Sequence, residues 1–113
     1  MTKSAGRNIE KLQEGIQRHI PYDELDRLLW PAIEDLAGCP FQTFKGLKFF
    51  YEVKGKEIFI TRKEKSITYS SVVKAFHVLL DREGMITGPK QLGTFGASYL
   101  YPVFESLGLI RKS

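Results

Sequence analysis

Leu47-Lys48-Phe49-Phe50-Tyr51-Glu52-Val53-Lys54-Gly55-Lys56-Glu57-Ile58-Phe59-Ile60-Thr61-Arg62 is the stretch that decides the fold. Its side chains divide with a period of two, the mark of a strand with one buried face. In the first half Leu47, Phe49, Tyr51 and Val53 share one face, and Lys48, Phe50 and Glu52 share the other. In the second half Ile58 and Ile60 point one way and Phe59 the other. Between the halves, Lys54-Gly55-Lys56 supplies a turn in which Gly55 is free to take a positive φ. The reading is an antiparallel β-hairpin, with residues 41–44 as a short flanking strand.

Upstream of the hairpin the period changes. Ile9, Leu12, Ile16 and Ile20 recur at helical spacing and predict a helix over 7–20. Gly15 weakens that helix by roughly 1 kcal/mol relative to Ala. Residues 1–6 are small and polar and read as a flexible terminus. After Pro21, the residues Leu25, Leu28, Leu29, Ile33 and Leu36 predict a second helix. Asp23 and Glu24 in its first turn suit the positive end of the helix dipole. Pro31 is expected to kink or split this helix, and Gly38 with Pro40 to end it.

Downstream, residues 62–66 form a charged connector, and Thr68 or Ser66 is placed to cap a third helix. Val72, Val73, Phe76, Leu79 and Leu80 make its apolar face, and Gly84 is its stop. Phe76 and Leu80 are expected to be buried against the Phe49/Tyr51 face. Pro89 opens a short turn. A last helix is expected from Ser98, with Leu100, Phe104 and Leu107 inward and Pro102 tolerated in the first turn. Gly108 closes it, with Leu109 and Ile110 folding back in a Schellman-type ending. The whole is a single α+β domain over 7–113: N-terminal helices, an antiparallel hairpin of two or three strands, and two C-terminal helices.

Charge divides the chain along the same line. Residues 1–39 carry five Lys/Arg against seven Asp/Glu, a net of −2. Residues 40–113 carry twelve against six, a net of +6. The excess gathers on the hairpin and its flank. Lys48, Lys54, Lys56, Arg62, Lys63, Lys65 and the more distant Lys90 are the candidate nucleic-acid-binding residues. Cations on strands that also carry Phe and Tyr can neutralise phosphates while the rings stack on bases. The alternative is structural: lysine guards a strand edge against aggregation and the aromatics are core.

Residues 68–110, ending in Leu107-Gly108-Leu109-Ile110-Arg111, resemble the end of helix-turn-helix and winged-helix domains over about forty residues. That resemblance implies DNA binding through the last helix, where Ser98 and Tyr99 would be the contacts. The loop 84–96 is longer than such a turn, and Pro102 with two Tyr is unusual in a recognition helix. The phrase Gly96-Ala97-Ser98-Tyr99-Leu100-Tyr101-Pro102 resembles a tail of small uncharacterised bacterial proteins. It implies a bacterial or phage origin and no activity.

Gly88, Gly93 and Gly96 lead into that helix beside Lys90, an arrangement open to an anion-binding reading. Their spacing matches neither a Walker loop nor a dinucleotide fingerprint. No enzyme constellation emerges. His19, His77 and Cys39 are far apart in sequence and make a poor metal set, so no cofactor or metal is implied. The acidic start at Asp23, Glu24 and Asp26 reads as a dipole match. A lone Cys39 excludes an internal disulfide, and Met1 to Arg7 is not followed by an apolar stretch of signal-peptide type. No apolar run is long enough for a bilayer. A cytoplasmic setting is expected. The sequence therefore points to a small non-enzymatic protein that binds nucleic acid, DNA before RNA. The rival is a protein-interaction module, an inhibitor or accessory subunit, whose acidic helices meet a basic partner.

Overall fold

The fold, taken from a computed structural model, is described for residues 3–61 and 66–111. It is α+β, and its residues divide into two compact units between Ala37 and Gly38. The boundary falls on the glycine expected to stop the second helix, next to the point where the charge changes sign.

The first unit is a pair of antiparallel helices, α1 (Lys3–Gln17) and α2 (Tyr22–Asp35). α1 starts earlier than the sequence implied and ends three residues before Ile20. The chain leaves it in a Schellman arrangement. His19 N–H bonds the Ile16 carbonyl at 3.1 Å, Ile20 N–H bonds Gly15 at 3.3 Å, and His19 takes φ 56°. Gly15 is buried, and a Cβ there would meet Ile20, Leu25 and Leu28 carbons at 3.0–3.1 Å. The glycine that costs helix propensity is what lets the two helices approach. At the other end Asn8 donates to the Asp35 carboxylate. Pro31 lies inside α2 without dividing it.

The second unit begins with β1 (Phe41–Gln42) and β2 (Lys48–Phe49), an antiparallel pair with Phe41 opposite Phe49. β3 (Tyr51–Lys54), β4 (Glu57–Ile60) and β5 (Ile67–Thr68) form a second antiparallel sheet in that order. The long hairpin strand is thus broken at Phe50, whose two halves serve different sheets. The flanking strand at Phe41 is present but pairs only within the smaller sheet. The third strand of the larger sheet comes instead from Ile67, which lies opposite Ile58.

α3 (Tyr69–Asp81) starts on Thr68, whose hydroxyl accepts from the Ser71 N–H at 3.3 Å. Its buried face is Val72, Ala75, Phe76 and Leu79. Leu80, expected inside, is half-buried, because it lies a quarter-turn from the centre of that stripe. A 3₁₀ turn, η1 (Pro89–Leu92), leads to α4 (Ala97–Ser106). Gly96 rather than Ser98 occupies the cap, in a left-handed conformation at φ 81°. Pro102 consequently lies at the sixth helical position, beyond the first turn. α4 ends as expected, with Gly108 N–H on Glu105 and Leu109 N–H on Phe104.

Aromatic contacts tie this unit together. Phe41 stacks on Phe49 and on Tyr51, at 5.7 Å in each case. Phe49 meets the edge of Tyr99 at 5.0 Å, and Phe76 packs against Phe104 at 6.2 Å. Gly96 is pressed on the Ile67 side chain, so a Cβ there would collide with it. Gly84, at φ 77°, admits no Cβ either, since the Leu109 carbonyl oxygen would lie 2.5 Å away.

Candidate nucleic-acid interface

The register of the larger sheet places the candidate residues. Tyr51 pairs with Ile60, Glu52 with Phe59, Val53 with Ile58 and Lys54 with Glu57. Side chains alternate across a strand, so Tyr51, Ile58, Ile60 and Ile67 fall on one face, and all four are buried. Phe50, Glu52, Lys54, Glu57, Phe59 and Thr68 take the other face, and every one is exposed. Phe50 extends this outer face by one pair. Its N–H bonds the Thr61 hydroxyl at 3.3 Å, and its carbonyl accepts from the Thr61 N–H at 3.0 Å.

Lys54 and Lys56 flank Gly55 at the tip, where φ is 60°. Since Lys54 lies opposite Glu57, the turn proper is Gly55-Lys56, the two-residue hairpin in which positive φ is required. Both lysines are exposed and both ammonium groups sit over rings. Lys54 Nζ is 5.8 Å from the centroid of Phe59, and Lys56 Nζ is 4.7 Å from that of Tyr69. A cation over an aromatic face is attracted by the ring quadrupole. Here that attraction gathers charge and exposed ring into one surface. Glu57 is engaged from the side by the Ser66 hydroxyl.

The remaining candidates are dispersed. Lys48 is exposed on β2, in the smaller sheet. Lys90 is exposed on η1. Arg62, Lys63 and Lys65 lie outside the described residues. Phe50 and Phe59 are not among the sequence candidates, although the alternation places both on the polar faces of their strands. Two large rings out of phase with the apolar pattern were the available signal. Phe50 is 46% and Phe59 37% exposed, against 3% for Phe49.

α4 is buried over most of its length. Tyr99 to Phe104 are buried without interruption, and the helix contains no Lys or Arg. Tyr99 and Tyr101 are packing residues. In the glycine-rich loop several backbone donors are bonded internally. Gly93 N–H bonds Lys90, Ala97 N–H bonds Thr94, and both Tyr99 and Leu100 N–H bond Gly96. Gln91 Oε1 accepts from the N–H groups of Thr87 and Gly88. These bonds explain the loop's shape as a tight path into the helix.

Among the described residues no cluster of three or more His, Cys, Asp or Glu could hold a metal ion. Among them, too, no helix is long and apolar enough to cross a membrane. Comparison with family models, with curated proteins and with solved structures gives no match to this chain.

Proposed function

We propose that the chain is a nucleic-acid-binding protein whose hairpin lysines contact phosphate groups. The observation that carries the reading is the tip of the larger sheet. There Lys54 and Lys56 hold two ammonium groups over aromatic rings on an exposed surface. The surrounding sequence strengthens it, since the second unit carries a net charge of +6. Phosphates are the polyanion that such a surface is built to meet, and each neutralised phosphate releases condensed counterions. α4 is buried from Tyr99 to Phe104 and its one charged residue is the acidic Glu105, which favours the sheet as the contact.

A salt titration tests the reading. Binding to nucleic acid should weaken steeply between about 50 and 200 mM salt, with log affinity linear in log salt concentration. Affinity that ignores salt, or no binding at low salt, would reject it.

A second reading rests on the first unit, where Glu10, Glu14, Asp23, Glu24 and Glu34 are all exposed. It makes the protein an interaction module for a basic partner protein. Association with protein that persists without nucleic acid and survives loss of the hairpin lysines would favour it.

A further inference from the structure

Resting on that reading, we infer that the ligand is single-stranded, and that its bases stack on Phe50 and Phe59. Both rings belong to the outer face of the sheet and both remain exposed. The register makes them diagonal neighbours, because Phe59 lies opposite Glu52 while Phe50 lies one pair further on. Diagonal side chains across an antiparallel pair are about 7–8 Å apart, within reach of each other for large rings. Phe50 can receive one base of a single strand, and Phe59 another where the Lys54 ammonium leaves its ring uncovered. A duplex hides the faces of its bases in its own stack and offers such a platform only its edges and phosphates.

The charges on the face are arranged along the same axis. Phe50 and Phe59 lead toward the tip, where Lys54 and Lys56 stand on either side of Gly55 and Glu57, opposite Lys54, is held by the Ser66 hydroxyl. Glu52 lies beside Phe59 in the middle of the face, where a phosphate would be repelled. Bases therefore cover the centre, while the sugar-phosphate chain runs toward the lysines. The design is a stacking platform with two lysines at its margin, which is sequence-tolerant because every base has a π-face. On the strands of the smaller sheet, Phe49 of β2 is buried against Phe41 and Tyr99.

The test compares oligothymidylate and oligouridylate of about 16 nucleotides with a duplex of the same length. Fluorescence anisotropy would be measured for the parent and for a Phe50→Ala/Phe59→Ala variant whose circular dichroism matches the parent. The parent should favour the single strands. The variant should lose about tenfold or more of its affinity for them, with the salt slope unchanged. Phe59→Trp supplies an independent signal, since its indole emission should be quenched when oligothymidylate binds. A parent that prefers duplex, a double variant that binds like the parent, or unquenched emission with binding intact would overturn the stacking inference. None of these would touch phosphate binding by the lysines. A parent that binds neither form at about 50 mM salt would remove the proposed function itself.

Discussion

The two faces of the larger sheet are made from the same short segments yet do different work. On β4, Ile58 and Ile60 are 2% and 4% exposed, while Phe59 between them is 37% exposed. Phe59 is the largest of the three and has the most apolar surface to hide. Its position is decided by phase. A period-two element offers every other residue to the core, and the remainder face water whatever their size. The inner face therefore supplies stability, and the outer face can carry a large ring for another purpose. The cost is about 25 cal/mol for each Å² of apolar surface left wet.

That contrast is most directly broken by paired truncations. Ile58→Ala should destabilise by about 2–5 kcal/mol in urea unfolding, because it opens a cavity on the inner face. Phe59→Ala, one residue away, should cost less, about 1–2 kcal/mol, since over a third of the residue is already in water. Similar losses for the two would mean that the outer face is also structural.

Gly96→Ala sharpens the account of the inner face from the side of α4. A Cβ there adds left-handed strain to a collision with Ile67, itself opposite Ile58. A loss of about 2–4 kcal/mol is expected in thermal or urea unfolding. Gly93 shares the left-handed conformation but has open space around a Cβ. Gly93→Ala should therefore cost less than Gly96→Ala, and equality would leave strain as the whole explanation.

Lys54→Gln with Lys56→Gln probes the outer face alone. The pair should flatten the salt dependence of nucleic-acid binding by about one to two units of slope. Unfolding free energy should move by less than about 1 kcal/mol, because exposed charges contribute little to stability. An unchanged slope would take the phosphates away from the hairpin tip. The smallest effect belongs to Cys39→Ser. The thiol is half-buried, with Gly38 before it and Pro40 after it. Nucleic-acid affinity should be unaltered, and loss of binding with the fold intact would require a thiol-dependent mechanism.

Much of this molecule was legible before its tertiary structure. The alternation of Tyr51, Ile58 and Ile60 against Phe59 named the inner face correctly, because the pleat ties side-chain direction to position along the strand. Gly55 in the turn, Thr68 as a cap and Gly108 at the end of α4 were readable for a similar reason. Each is demanded by backbone geometry within a few residues of itself. Pro89 at the start of η1 belongs with them.

What only the tertiary structure decided depends on residues distant in sequence. Whether Leu79 or Leu80 of α3 is buried is a choice of helix rotation, and the apolar spacing is compatible with both until packing partners set the phase. The break at Phe50 depends on where two different sheets find their partners, and the third strand at Ile67 on a register with Ile58. Gly15 looked like a weakness in a helix until Leu25 and Leu28 were seen against it. Gly96 became the cap of α4 in place of Ser98 because only a residue without a side chain fits beside Ile67. In each case the local pattern allowed two answers, and close packing between distant segments left room for one.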